Sequence, residues 1–282
     1  MTALSHIPDA PDPATVFKRR ISLSEAAREL WRARVLVWSL AERSLRARYA
    51  QALLGFAWAL ISPLALLVAI TVLFEKVGNI DTGGAPPVLF NYVGLIAWTF
   101  FAGALTNAAT VIINNLALIN KISCPREVFP LSAVLMAIVD TALSLLALVV
   151  LFGVEGYAPR GTTVWLPVIV LVHVVFVAGA AILISVLTVY FRDLRNALPL
   201  VVQLGLFATP VAYGLEVIPN TWRWLYSFYP LGPIIDAYRR TILFGQAPQW
   251  EYMLPAAIGA LVTLVGGYWL FKKMEVRIAD VA

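Results

Sequence analysis

Two ionisable side chains interrupt long apolar runs. Asp140 sits inside LSAVLMAIVDTALSLLALVV (131–150), and His173 inside VWLPVIVLVHVVFVAG (164–179). An ionisable group at membrane depth marks a functional site unless its surroundings satisfy it. A proton relay needs several such groups in series, so Asp140 reads first as a carboxyl that is protonated or hydrogen-bonded at a helix contact, with Thr141 or Ser144 at hand. His173 reads as a hydrogen-bonded bundle residue rather than a ligand, and His6, the other of the 2 histidines, lies near the N-terminus. No G-x-x-x-x-G-K-[ST] phosphate loop and no H-E-x-x-H occur, and no nucleophile, base and orienting group come together in sequence. The chain therefore reads as non-enzymatic, with no metal site and no bound cofactor. Its single cysteine, Cys124, excludes an intrachain disulfide and any multi-cysteine metal site.

The elements that hold these groups are membrane spans. Hydrophobic residues make up 61% of the chain and charged residues 13%, with mean hydropathy +0.83. Soluble domains run near ~45–50% and ~25%. Six segments can each supply the roughly 20 residues that cross a bilayer: Leu53–Phe74, Val88–Ile113, Val128–Phe152, Val164–Phe191, Ala197–Leu215 and Tyr252–Phe271. The fold class is thus an all-α integral membrane protein. The net charge of +5 carries no implication of nucleic-acid binding, because location governs charge effects in a membrane protein.

Ahead of the spans, residues 1–20 form a proline-containing tail without the apolar core of a signal peptide, expected to be disordered. Ser22-Leu-Ser-Glu25 matches a capping box, so a helix is expected over 21–50. Trp31, Val35, Trp38, Leu45 and Tyr49 fall on one face at 100° per residue, interrupted by Glu42, with Arg28, Arg32, Arg43 and Arg46 beside them. This suits a helix lying in the membrane interface, aromatics at headgroup depth and arginines toward anionic lipid. A solvated helix packed on a soluble partner is the other reading.

Most of the 21 Lys and Arg residues fall before the first span, in the 114–130 joint, at Arg192 and Arg195, and in the tail from Lys272. Only Lys76, Arg160, Arg223, Arg239 and Arg240 fall in the intervening loops. Cytoplasmic loops carry the excess of positive charge, which places both termini, including the 276–282 tail, and the 114–130 joint in the cytoplasm. That joint, NNLALINKISCPREVFP, is a short polar interruption between two apolar runs. Pro125 is expected to end any helix begun at Leu116, and Arg126 and Glu127 to pair with an acceptor surface.

Residues 216–250 are too interrupted by proline to span and too aromatic for a solvated loop. They are expected to form two short re-entrant or interfacial helices broken around Tyr229-Pro230-Leu231. Anchoring at the membrane interface is the expectation for Trp58, Trp98, Trp165 and Trp269, and suffices for most of them. Phe100, Phe101, Tyr213, Trp222 and Trp224, with Trp98, are denser than anchoring requires. Such faces stack on sugar rings and would hold a glycan weakly at many points. Packing accounts for any one of them equally well.

Leu54-Gly-Phe-Ala-Trp-Ala-Leu60, Trp98-Thr-Phe-Phe101, Lys121 through Pro125-Arg126-Glu127, Leu131-Ser-Ala133, Tyr190-Phe-Arg-Asp-Leu-Arg195 and Thr209-Pro-Val211 follow one another in order. Together, over about residues 35–275, they resemble the permease subunit of bacterial ABC exporters for polysaccharides such as O-antigen, teichoic acid and galactan. One departure is Cys124, where the family often has an aromatic before Pro-Arg-Glu.

The resemblance implies a type-2 exporter membrane domain over 21–275, with six spans behind the interfacial helix. It implies a homodimer in the bacterial inner membrane, with a channel at its interface and two copies of a cytoplasmic ABC ATPase that bind ATP and Mg. It further implies a coupling element at 114–127 (Lys121, Pro125, Arg126, Glu127), external gate helices at 216–250, and a glycan on a polyprenyl diphosphate as cargo. Arg46 and Arg48, with Tyr49, would receive the diphosphate, since Arg matches phosphate oxygens bidentately. General attraction to anionic lipid explains them equally well. The rivals are export of a drug, peptide or simple lipid by the same fold, and a membrane-embedded transferase, which would normally cluster acidic or histidine residues at a membrane face.

Overall fold

The computed structural model describes residues 23–50, 55–77, 82–121, 124–158, 160–219, 221, 226 and 228–275. The capping-box serine, the two tails, Trp222 and Trp224 lie outside them. In chain order the α-helices are α1 (Leu23–Arg32), α2 (Arg34–Tyr49), α3 (Trp58–Val77), α4 (Pro87–Asn114), α5 (Leu116–Ile119), α6 (Val128–Val154), α7 (Leu166–Tyr190), α8 (Asp193–Ala208), α9 (Leu231–Arg239) and α10 (Trp250–Glu275). Short 3-10 turns precede α3 and α7, and a π-turn, Arg240–Phe244, follows α9.

Among the described residues four helices are long and apolar enough to cross a membrane: α4, α6, α7 with its 3-10 lead-in, and α10. The first expected segment yields α3, whose apolar part, Trp58–Leu73, is shorter. The fifth yields α8, which has only 16 residues. It stops at Ala208 because Thr209 precedes Pro210, and the proline ring drives the preceding residue into extended backbone. At 1.5 Å per residue α8 is about 24 Å long, against a hydrocarbon core of about 30 Å.

Helix α4 is the centre. It begins on Pro86-Pro87, with proline at the first helical position where no N–H is needed. It is apolar on all sides, the pattern of a helix surrounded by others, and it touches α3, α6, α7, α8 and α9. Polar groups tie it to its neighbours. The Asn91 amide donates to the Thr71 hydroxyl on α3 at 3.2 Å, and Tyr92 Oη to the Ser144 carbonyl on α6 at 3.1 Å. A buried donor in an apolar setting needs such a partner.

Helices α7 and α10 lie in backbone contact. A Cβ on Gly179 would stand 2.5 Å from the Leu264 nitrogen, and one on Gly267 would stand 2.7 Å from the Gly179 carbonyl oxygen. Small residues permit this approach between spans. Tyr190 Oη then donates to the Met274 carbonyl at 2.6 Å, and Trp165 meets Trp250 edge-on at 5.2 Å at the opposite end of the pair.

The helix expected over 21–50 is broken at Ala33, whose backbone leaves the helical range (ψ 4°). The stripe projected from Trp31 to Tyr49 does not share one environment, and the change falls within α2 rather than at the break. Leu40, Ala41 and Tyr49 are buried, while Trp31, Val35 and Trp38 face outward. Of the two short helices expected in 216–250, α9 is described. It starts on Pro230, at the expected break.

Candidate functional site

The C-terminal turn of α2 brings Arg48 and Tyr49 to Asp140 in mid-α6. Arg48 Nη1 donates to Asp140 Oδ2 at 2.9 Å, and Tyr49 Oη donates to Asp140 Oδ1 at 2.9 Å. Arg48 Nη2 donates to Asn107 Oδ1 on α4 at 2.7 Å. Thr141 and Ser144 do not serve the carboxylate. Their hydroxyls donate to the backbone carbonyls of Ala137 and Asp140. Burial first, then the neighbouring Asp140 carboxylate, hold the Tyr49 phenol above its ordinary pKa, against the opposing pull of Arg48, so it stays protonated and a donor.

Arg46 is not part of this cluster. It turns out to solvent and pairs with Glu42 one helical turn back, at 2.6 Å. An exposed i,i+4 pair of this kind contributes only about 0.3–0.5 kcal/mol. The glutamate that interrupts the α2 stripe is thus its partner.

Arg48 stands between two cavities. One, of about 400 Å³, is bounded by Trp58 and Ser62 at the start of α3, Thr99 on α4 and Asp140 on α6. The other, of about 570 Å³, lies between α4 and α8, with Trp98, Thr106 and Asn107 on one wall and Gln203 and Phe207 on the other. Arg48, Leu66 and Thr99 line both. The arrangement can receive an anion. Among the described residues it brings together no set of side chains for bond-making, and no cluster that could hold a metal ion.

The aromatic candidates divide. Trp98, Phe100 and Phe101 are buried in the helix core. Phe101 stacks on Phe176 at 5.4 Å, and Phe100 meets His173 edge-on at 4.9 Å. The Trp98 ring lies against Gly205 of α8, where a Cβ would come within 2.8 Å of it. His173 is buried, with Tyr238 Oη 3.4 Å from its Nδ1. Together with Phe100 they line a third, largely aliphatic cavity of about 320 Å³ between α4, α6, α7 and α9. Tyr213 Oη donates to the carbonyls of Phe207 and Ala208 and closes the end of α8.

In the 114–127 joint the helix ends at Ile119, ahead of the turn at Asn120 and Lys121, so it is shorter than Pro125 alone required. Asn114, Ala117, Asn120 and Lys121 face outward. Asn115 is buried and accepts a hydrogen bond from Arg43 of α2. Arg126 and Glu127 turn inward to the end of α10. Arg126 Nη1 donates to the Glu275 carbonyl, and the buried Glu127 carboxylate pairs with Lys272. Lys272 also reaches Glu275 at 2.9 Å. Pro125 and Cys124 are half-buried beside them. Burial, with smaller contributions from Glu127 and Glu275, raises the Cys124 thiol above its ordinary pKa against the opposing effect of Arg126.

Sequence reasoning passed over Arg239. It is 2% exposed. Its Nε donates to the Phe90 carbonyl at 3.1 Å, and its Nη1 to the Pro210 and Tyr213 carbonyls, both at 2.9 Å. Nη2 donates to the Val211 carbonyl. The guanidinium carbon lies 3.7 Å from the centre of the Phe90 ring, in space that any side chain at Gly94 would fill. The sequence signal was an arginine pair, Arg239-Arg240, in an aromatic segment with a single nearby carboxylate, Asp236.

A central apolar helix, a carboxylate midway along a long apolar helix answered by an arginine of α2, and a short polar joint between two long apolar helices fit a multi-pass membrane protein. Its residues 35–243 match the ABC-2 type transporter family model, and the chain belongs to that family. It is 29% identical over 243 residues to the O-antigen export system permease protein RfbA of Klebsiella pneumoniae, covering 86% of this chain and 93% of that one. The RfbA of Myxococcus xanthus is 28% identical, covering 90% and 97%. The polysialic acid transport protein KpsM of Escherichia coli is 22% identical, covering 86% and 94%.

Proposed function

We propose that this chain is the membrane-spanning subunit of an ATP-driven exporter that carries a polysaccharide, linked to a polyprenyl diphosphate, out across the inner membrane. The observation that carries this reading is the match to O-antigen export permeases along nearly the whole of both chains. A second family member named for polysialic acid transport points to the same class of cargo. An arginine between two cavities at the end of the interfacial helix suits a diphosphate headgroup.

In this reading α3 and α8 complete six spans, and both termini face the cytoplasm. Two copies pair, and each seats its 114–127 joint on an ATPase subunit that supplies ATP and Mg. Residues 216–250 form the external gate. Asn114, Ala117, Asn120 and Lys121 give the joint its outward face, while Arg126 and Glu127 join it to α10. The ATPase contact therefore falls on the Lys121 side, and the Arg126–Glu127 pair transmits it.

The test is purification of the tagged chain from its native membrane. The expected result is an ATPase subunit in equal stoichiometry, hydrolysing ATP faster when polyprenyl-diphosphate glycan is added. A partner indifferent to the glycan but stimulated by a sugar-free lipid or a drug would overturn the cargo. Absence of any ATPase partner would overturn the class.

A further inference from the structure

A polar group that crosses apolar protein needs a route that stays closed when empty. The two cavities beside Arg48 share Arg48, Leu66 and Thr99 as lining, and of these Arg48 is the charged one, held by two different helices: Asp140 of α6 and Asn107 of α4. The carboxylate has two partners here, Arg48 on one oxygen and the Tyr49 phenol on the other. The Arg48 side chain keeps 39% of its surface exposed, so its guanidinium can be reached from the cavities without unfolding anything.

We infer that the Arg48–Asp140 pair is a latch worked by a diphosphate group. Asp140 is the resident anion of Arg48. An incoming diphosphate takes the guanidinium from it, and the Arg48 side chain, part of the lining of both cavities, swings away from Asp140 toward the ligand. The inference rests on the exporter reading above for the lipid-linked source of the diphosphate.

The chemistry favours the exchange. Charge-assisted bonds to phosphate oxygens form with the same bidentate geometry as bonds to carboxylate, and a diphosphate offers more charge and more acceptor oxygens than one carboxylate. Arg48 keeps an anionic partner in both states. Asp140 keeps the Tyr49 hydroxyl, which limits the cost of losing its cation. With no diphosphate present, parting the pair would leave a carboxylate without its cation in mid-span, which is expensive, so the empty latch stays shut. A ligand shifts such a two-state element only through its different affinity for the two states. Removing the internal competitor must therefore tighten binding.

The experiment uses the full chain in nanodiscs of neutral lipid, read by the change in tryptophan fluorescence, to which Trp58 and Trp98 at the two cavities contribute. The probes are polyprenyl diphosphate, the uncharged polyprenol and inorganic pyrophosphate. Asp140→Asn is expected to bind polyprenyl diphosphate on the order of ten-fold more tightly than the wild type, within the span of ordinary coupling energies. Arg48→Gln is expected to lose that binding, and polyprenol to bind all three alike. Pyrophosphate gaining the same factor in Asp140→Asn assigns the latch to the headgroup alone. A gain confined to the lipid-linked form assigns it to the membrane-borne ligand.

A cysteine at Thr99, placed by Thr99→Cys in a Cys124→Ser background, keeps the test open if Asp140→Asn fails to fold. It lines both cavities and should react faster with a soluble thiol reagent once the diphosphate is added. Equal or weaker binding by a folded Asp140→Asn, with Arg48→Gln still deficient, would overturn the latch and leave the exporter reading standing. Unchanged labelling at position 99 would do the same. No binding of either diphosphate by any variant would overturn the site itself, whereas the exporter reading falls only with the co-purification result.

Discussion

Replacing Arg239 with methionine tests how the turn after α8 is held. The guanidinium donates to four backbone carbonyls, and three of them, at Pro210, Val211 and Tyr213, belong to a turn outside any helix. The fourth, at Phe90, belongs to the first turn of α4. A hydrogen bond to a charged group contributes about 1.5–3 kcal/mol, and a buried acceptor left without its donor costs about 1–3 kcal/mol. Methionine fills much of the volume but donates nothing. Against this loss stands the desolvation of the cation, which the variant no longer bears.

Four carbonyls left without their donor at about 1–3 kcal/mol each, less a cation desolvation of several kcal/mol that the variant is spared, leave an expected destabilisation of about 3–5 kcal/mol. For a chain of this size that lowers the thermal midpoint by on the order of 10 °C. Arg239→Lys keeps the charge but concentrates its donors at one point, so it should recover less than half of the loss. The assay is thermal unfolding in nanodiscs followed by tryptophan fluorescence. A methionine variant that melts within about 2 °C of the wild type would refute the reasoning, and so would lysine matching arginine.

Lys272→Met should destabilise by about 3 kcal/mol, because it leaves Glu127 buried without its cation. Pairing it with Glu127→Gln should restore part of that loss, read as a non-additive cycle in thermal melts. Gly179→Val should abolish folded expression, since its side chain would enter the Leu264 backbone, and size-exclusion yield measures this directly. Alkylation of Cys124 should lag behind a free thiol at every pH below its raised pKa. The thiolate reacts, and raising the pKa leaves less of it at a given pH. Removing the Arg126 charge by Arg126→Gln should move that rate profile further toward alkaline pH, measured as maleimide labelling against pH.

The long spans were legible because apolar runs of such length admit few structures in a membrane. The joint was legible because it is a short polar stretch between two of them. Asp140 was legible as a group in need of a partner, but its partners are 92 and 91 residues earlier in the chain. No local spacing carries that information, so Thr141 and Ser144 stood in for them. Arg126 and Glu127 looked outward on the expectation that charge seeks a soluble surface, whereas the basic end of α10 offered an internal one. The α2 stripe failed because a helical projection tells which residues share a face but not where along the helix a neighbour covers it: Trp38 faces outward, while Tyr49, at its C-terminal end, is packed against α6. Trp98, Phe100 and Phe101 read as lining or as core with equal ease from composition. Only the three-dimensional packing separates a ring stacked on Phe176 from one facing open space.

The glycine contacts between α7 and α10 have a mechanical meaning. Two rods touching backbone to backbone have no compliant layer of side chains between them to absorb a relative slide, and they are bolted again at Tyr190 and Met274. They behave as a single beam. The Arg126–Glu127 contacts grip this beam at its Lys272 end, and the Trp165–Trp250 contact marks the opposite end, about 25 residues or roughly 37 Å away along the helix. A tilt of a few degrees at the gripped end arrives at the far end as a displacement of ångströms, without any bond in between having to stretch.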